Sequence, residues 1–310
     1  MSLRLRLLNF WLRLLVKPKL RRIKHPHELR DSLERDAMRF FAMPDGCNIV
    51  PDLIRRPSSR ANSGMIEAQW VSRGRPDRRR VILYFHGGAY IAGSPRTHRH
   101  LAAALAGAAG VRAILPDYRL APEHPFPAAL EDALASYRHL LDAGYDSREI
   151  AIAGDSAGGG LGFALLLKLQ QQDLPRPACI VAFSPWTDLS GDSPTLVSNA
   201  NRDVMLPVSK LQETVEFILG SHDRIDPFAS PLFGDWNAPP PSLLYASKHE
   251  LLLHDSTELA ERLRAGGGDV TLELWRNTPH AWPIFVGRLP EADQVVSSAG
   301  AFIARHLDAE

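Results

Sequence analysis

The sequence has little cysteine, two residues in 310, Cys47 and Cys179. That excludes a disulfide framework and permits a reducing compartment. Cys179, inside the apolar run Ala178-Cys179-Ile180-Val181-Ala182-Phe183, reads as a small core residue. Net charge is almost absent too, +1 from 36 basic and 35 acidic side chains, so the whole molecule gives no case for nucleic acid or a strongly charged substrate. No apolar run reaches the roughly 20 residues a spanning helix requires. Neither a signal-peptide cleavage site, an internal repeat nor a long low-complexity tract is present. What remains is a chain with 45% hydrophobic residues, enough to bury a large core in one α/β domain with a modest elaboration.

From Val81 onward, apolar runs alternate with helix-like stretches. Strand candidates fall at 81–85, 111–115, 150–153, 179–183, 242–246 and 270–274, which predicts a mostly parallel sheet covered by helices on both faces. Two earlier candidates, 48–50 and 65–71, flank a polar turn and read as an antiparallel edge. Residues 192–225 break the alternation, carry a helical pattern over 208–219 and read as an inserted cap. The expected division is N-terminal helices contributing to the cap over 1–45, core over 46–191, cap insertion over 192–225 and core again over 226–310.

Two motifs carry chemistry. Gly154-Asp155-Ser156-Ala157-Gly158 follows the run Ile150-Ala151-Ile152-Ala153 and precedes a helical pattern, so Ser156 sits at a strand-to-helix turn. Flanking glycines let such a turn bend sharply and lift the hydroxyl clear of the sheet, as an acyl-transfer nucleophile requires. Tight helix–strand packing is the alternative use of the same small residues. His86-Gly87-Gly88-Ala89-Tyr90 follows the preceding strand candidate, where an α/β-hydrolase keeps its oxyanion hole. Gly87 and Gly88 are the expected amide donors there with Ala157 as the third, and His86 is expected to brace the loop.

A serine nucleophile needs a base and an acid to orient it, and on this fold the chain order is serine, acid, histidine. His280, in Asn277-Thr278-Pro279-His280, is the one histidine of twelve that falls just after the last strand. His98 and His100 suit surface or packing roles. After the strand at 242–246 the acid is Glu250 or Asp255. Glu250 is favoured by position, because Asp255 falls where the next helix would be capped. His249, Glu250 and His254 lack the paired-histidine spacing of a zinc helix.

The N-terminus departs from charge balance. Arg4, Arg6, Arg13, Lys17, Lys19, Arg21, Arg22 and Lys24 are interleaved with Leu3, Leu5, Leu7, Leu8, Phe10, Trp11, Leu14 and Leu15, a basic amphipathic helix. Either its apolar side covers the active site as part of the cap, or it lies on an anionic membrane surface. A cytoplasmic location is expected, with peripheral membrane contact as the open alternative.

Taken together, the chain from about residue 81 to 282 resembles the hormone-sensitive-lipase-like carboxylesterases, bacterial family IV of the α/β-hydrolases. Asp117-Tyr118-Arg119-Leu120-Ala121-Pro122-Glu123, followed by Phe126-Pro127-Ala128-Ala129, adds to the resemblance, its charged residues expected to form an ion-paired brace. The resemblance implies an α/β-hydrolase fold with a helical cap, and a serine carboxylesterase acting on short- to medium-chain esters through an acyl-enzyme. It calls for no cofactor and no metal. Two departures stand out. Ala89 replaces the family's third glycine, the donors normally being the two glycines before it, and Glu250 stands where the acid is more often Asp. An amidase or deacetylase using the same triad is the near alternative. A noncatalytic small-molecule receptor is the remote one, against which the retained Ser156 and His280 argue. The expected partner is a small-molecule ester, with no nucleic acid, and a homodimer is left open.

Overall fold

The computed structural model describes residues 1–56 and 64–308. The chain opens with helices α1 (Leu3–Trp11), α2 (Lys17–Arg22) and α3 (Pro26–Phe40), the first two joined without a break by one π-helical turn, Leu12–Val16. Strands β1 (Cys47–Arg55), β2 (Met65–Arg73) and β3 (Asp77–Phe85) follow. Then come α4 (Pro95–Ala109), β4 (Val111–Pro116), α5 (Ala128–Asp142), β5 (Ile150–Asp155), α6 (Ala157–Gln171) and β6 (Cys179–Phe183). The remainder is α7 (Thr195–Ser198), α8 (Val208–Leu219), β7 (Ser242–Ser247), α9 (Leu253–Ala265), β8 (Val270–Trp275) and α10 (Pro290–Leu307).

The eight strands form one sheet in the order β1-β2-β4-β3-β5-β6-β7-β8. Pairing is parallel from β4 through β8, and β1 and β2 form the expected antiparallel edge, in register from Cys47 opposite Arg73 to Arg55 opposite Met65. Most of the polar turn between these two, residues 57–63, lies outside the described residues. The central strands are continuous apolar runs because helices cover both faces. One core cluster holds Phe85, Ile152, Phe163 and Leu165 under α5 and α6. The other holds Tyr84, Leu101, Val181 and Val295 under α4 and α10, with Cys179 buried in it as expected.

The strand ends deliver the chemistry. At one edge of the sheet the loops after β3, β5, β7 and β8 carry residues 86–93, Ser156, residues 248–252 and residues 276–281. N-terminal helices and the segment containing α7 and α8 meet there: buried Lys17 donates to the carbonyls of Ala200 (3.0 Å) and Asp203 (2.7 Å). From α3, Arg30 donates to the Ile91 carbonyl at 2.8 Å, just past the Gly-rich loop.

The brace expected around Asp117, Arg119 and Glu123 is built differently. Arg119 binds the fully buried Asp132 of α5 and the exposed Glu131, while Glu123 pairs with Arg30 at 2.6 Å. Asp117 has neither partner; burial, then the charges of Glu67 and Glu34, push its carboxyl up to about 6. Sequence proximity suggested a local brace, whereas the helix following the loop brings a better-buried acid. Asp132 also accepts from Arg56 at 2.7 Å, so one carboxylate ties the end of β1 to the loop after β4. Asp132→Asn is expected to lower unfolding free energy by about 2–3 kcal/mol, the low end for a broken buried pair because both guanidinium groups keep some solvent. Urea titration measures this, and a loss below about 0.5 kcal/mol would show that the brace contributes no more than an ordinary surface residue.

Candidate active site

Ser156 occupies the turn between β5 and α6 with φ 52° and ψ −123°, a left-handed conformation that strains any L-residue. The turn is possible because of what surrounds it. A Cβ on Gly154 would lie 2.6 Å from the Gly158 backbone, and one on Gly158 would lie 2.1 Å from the Phe85 carbonyl oxygen. Residues 183–186 hold it from the other side. Ser156 N–H donates to the Phe183 carbonyl at 2.8 Å, and Trp186 N–H donates back to the Ser156 carbonyl at 2.9 Å. In the same segment the Ser184 hydroxyl oxygen accepts from Ala281 N–H at 3.1 Å, next to His280.

Glu250, His280 and Ser156, from three separate loops, form one hydrogen-bonded row. His280 Nδ1 lies 2.6 Å from Glu250 Oε2, and His280 Nε2 lies 2.9 Å from Ser156 Oγ. A carboxylate at Nδ1 fixes the ring proton there, which leaves Nε2 free to accept from the serine hydroxyl. Glu250 is 1% exposed and its other oxygen accepts from Ser247 N–H at 2.7 Å. Burial disfavours a charged imidazole, but the hydrogen bond and charge of Glu250, with smaller contributions from Asp203 and Asp155, outweigh it and raise the His280 pKa above its ordinary 6.5.

Asp255, the other acid weighed from sequence, is elsewhere. Helix α9 begins at Leu253 with Leu252 as its N-cap, so Asp255 does not cap it. Instead its Oδ2 accepts from the backbone N–H groups of Thr187 (2.8 Å) and Asp188 (2.9 Å). Burial, then the charge of Asp188, push this carboxyl well above the usual range. His98 and His100 take the packing alternative: both are buried, and His100 stacks on Phe41 with ring centroids 4.4 Å apart.

The loop after β3 differs from expectation at one residue. Gly87 N–H, expected to face a substrate oxyanion, donates to Asp155 Oδ1 at 3.1 Å. Close approach forces this, since a Cβ on Gly87 would lie 2.2 Å from Asp155 Oδ2. Gly88, Ala89 and Ala157 donate to no backbone or side-chain acceptor among the described residues outside α6 itself. Gly88 and Ala89 both have positive φ, 122° and 56°, which turns the chain sharply after Gly87. His86 braces it as expected. Its ring stacks on Tyr118 at 4.2 Å, its carbonyl accepts from the Tyr118 hydroxyl at 2.7 Å, and burial, then the neighbouring His98, lower its pKa to about 3, so the ring is neutral.

Three supporting residues escaped the sequence reading. Asp155 accepts from the Tyr84 hydroxyl at 2.7 Å and lies 3.4 Å from His98; burial raises its pKa, and His98, Tyr84 and His86 outweigh burial to leave it lowered. Asn199 donates its side-chain amide to the Glu250 carbonyl at 2.9 Å. Asp203 accepts from Leu251 N–H at 2.9 Å, so residues 199–203 clasp the loop carrying Glu250 while Lys17 holds their other side. The Asp next to Ser156 lay within the motif and could have been weighed. Asn199 and Asp203 sit in a segment with no sequence signal.

Residues 82–284 match a family described by the alpha/beta hydrolase fold. An acetyl-hydrolase of Streptomyces hygroscopicus is 39% identical over 247 residues, 80% of this chain and 82% of that protein. An esterase of Acinetobacter venetianus is 35% identical over 229 residues, 74% of this chain and 75% of its own. Among solved structures, an esterase from the bacterial hormone-sensitive lipase family superposes with a TM-score of 0.89 at 34% identity, covering 99% of each chain.

The geometry fixes how His280 titrates. Followed by NMR, its imidazole is expected to titrate above 6.5, and Asp203→Asn is expected to lower that midpoint, because the charge of Asp203 favours the protonated ring. An unchanged midpoint in the variant would separate Asp203 electrostatically from the row.

Proposed function

Because this chain belongs to the α/β-hydrolase fold family, in its hormone-sensitive-lipase-like branch, and is a carboxylic ester hydrolase, we propose that Ser156, His280 and Glu250 are its nucleophile, base and orienting acid. The observation that carries this reading is the row Glu250–His280–Ser156, with contacts of 2.6 and 2.9 Å. As Ser156 Oγ attacks the ester carbonyl carbon, its proton passes to His280 Nε2, and the imidazolium is stabilised by the buried Glu250 carboxylate. The carbonyl oxygen becomes an oxyanion. Gly88, Ala89 and Ala157 are the proposed amide donors to it, Ala89 taking the place of Gly87 because the Gly87 N–H is committed to Asp155. His280 then gives its proton to the departing alkoxide, leaving Ser156 acylated. Water, deprotonated by the same nitrogen, attacks the acyl carbon; as the bond from that carbon to Ser156 Oγ breaks, His280 returns the proton to Oγ and the acid is released.

The helices of residues 1–45 and the segment 192–225 are proposed to form the cap over this site. Between them lies an apolar cavity of about 90 Å³, bordered by Ala89 and Ile91 of the Gly-rich loop and by Leu206, Leu211 and Phe217. Its position beside the proposed oxyanion donors suits the acyl chain, and its size favours short to medium chains. The relatives are esterases and acetyl-hydrolases, which favours neither amide hydrolysis nor ligand binding without turnover.

Hydrolysis of p-nitrophenyl acetate, butyrate, octanoate and laurate tests the reading. Turnover should favour the shorter chains, and Ser156→Ala should lose at least about 10⁴-fold in kcat. Full activity in that variant would remove Ser156 from the chemistry. For Glu250→Gln, a loss on the order of 10³–10⁴-fold in kcat is expected. In the wild type, kcat/KM should fall as pH drops through the raised pKa of His280, since only the neutral ring can accept the serine proton. A pH profile flat through that range would exclude His280 as the base.

A further inference from the structure

The first 27 residues contain eight lysines and arginines and no carboxylate; the first acid is Glu28. Of the cations, only Lys19 has a carboxylate partner among the described residues, Asp36 at 3.0 Å. The helix that carries them is apolar on two opposite sides. One side, Leu5 and Leu12, is buried against the domain, and Lys17 is buried with its ammonium on backbone carbonyls. On the other side Leu3, Leu7, Phe10, Trp11, Leu14 and Leu15 are each more than half exposed. Leu3, Leu7, Phe10 and Leu14 recur at spacings of four, three and four, which lines them up along one face, with Trp11 and Leu15 beside them. The same helical periodicity puts Arg4 in the row of Trp11 and Leu15, and Arg6 and Arg13 on the opposite flank beyond Phe10. Packing onto the domain accounts for the buried side only. Arg4 reaches the Arg288 carbonyl at 3.3 Å and Arg13 those of Asn201 and Arg202 at 3.4 Å, all at the surface, but the six large apolar residues of the stripe have no role in that packing.

We propose that this stripe docks on an anionic lipid surface, the helix lying in the interface with its leucines and aromatics among the acyl chains and its arginines at the headgroup phosphates. Charge selects this occupant. A second copy of the chain placed face to face would bring two cationic helix flanks together, whereas a zwitterionic bilayer, whose phosphates are balanced by their own ammonium groups, offers no net negative surface potential to attract them. The stripe also adjoins an opening. A cavity of about 340 Å³ beside the triad is lined by Phe10, Arg6 and Arg13 of this helix together with Glu250 and His280. Docking therefore brings the mouth of that cavity to the interface, and an ester dissolved there reaches His280 without crossing bulk water. This last step rests on the proposed roles of Ser156, Glu250 and His280; the docking itself does not.

Co-sedimentation of the full chain with vesicles of phosphatidylcholine alone, or mixed with phosphatidylglycerol, tests the proposal. Binding to the mixed vesicles should exceed binding to the neutral ones by about tenfold or more and weaken as salt is raised. Trp11 supplies a second readout: tryptophan emission should move to shorter wavelength on anionic vesicles, and Trp11→Phe should lose that shift while still sedimenting. The double variant Leu7→Asp, Leu14→Asp, with its fold verified by an unchanged thermal midpoint, should lose binding. The pair Arg21→Glu, Arg22→Glu should weaken it. Ser156→Ala should bind as the wild type does, which separates a failure of the hydrolytic reading from a failure of docking. Equal binding to both vesicle types, no binding by the intact chain, or undiminished binding by the Leu7, Leu14 variant would each overturn the proposal. So would a solution dimer that the Leu7, Leu14 substitutions convert to monomer, because the stripe would then be a self-association face.

Discussion

One buried carboxylate holds the two halves of the site in register. Asp155 ends β5, immediately precedes Ser156, and accepts hydrogen bonds from the Tyr84 hydroxyl on β3 and from Gly87 in the loop that follows it. Two motifs nearly seventy residues apart are thereby fixed through a single side chain. The fit allows little variation. Any side chain at position 87 would enter the space of the Asp155 carboxylate, and a longer acid at position 155 would push the Gly-rich loop away. Burying an anion is unfavourable, and His98 and Tyr84 offset that burden from the second core layer. The hydrogen bond that anchors the loop also commits Gly87 N–H to a protein acceptor, and positive φ at Gly88 and Ala89 turns the chain over the next two residues.

How much of this was legible in the sequence depended on whether the determinant was local. The elbow at Ser156, the Gly-rich loop and the alternation of strands and helices are short-range patterns, and the structure has them where the residues indicate. Glu250 and Asp255 could be ranked only by distance from a strand end; the structure puts Glu250 on His280 and Asp255 on the backbone after β6. The Gly87 amide could not be assigned, because its partner is a side chain contributed from another strand. Nor could the brace, where Arg119 turns from its sequence neighbours to Asp132 in the next helix. Asn199 and Asp203 were the least legible of all. Their task, holding backbone groups of the acid loop, leaves no mark on residue type beyond the ability to donate or accept a hydrogen bond.

The N-terminal helix shows how a single insertion reconciles competing demands. At the π-helical turn Leu12–Val16, Lys17 N–H reaches back five residues to Leu12 instead of four, taking up one extra residue. Before the turn Leu5 is buried in the apolar core under α4 and α10, and Leu12 is buried where the turn begins. After it, the rotated face buries an ammonium against the carbonyls of residues 200 and 203. That contact is specific in a way that apolar packing is not, since the donors must meet carbonyls in one geometry. The same turn leaves the stripe from Leu3 to Leu15 on the outside.

Residues 183–186 set a division of tolerances. Through hydrogen bonds to Ser156 on one side and Ala281 on the other, this short segment at the end of β6 acts as a spacer gauge between the turn after β5 and the loop carrying His280. Glu250 has two references: Ser247 N–H at the end of β7 holds its carboxylate, while Asn199 and Asp203 register its loop against the helical segments. Drift in those helices, whether thermal or accumulated by mutation, is therefore felt first at the Glu250 loop and its contact with His280 Nδ1.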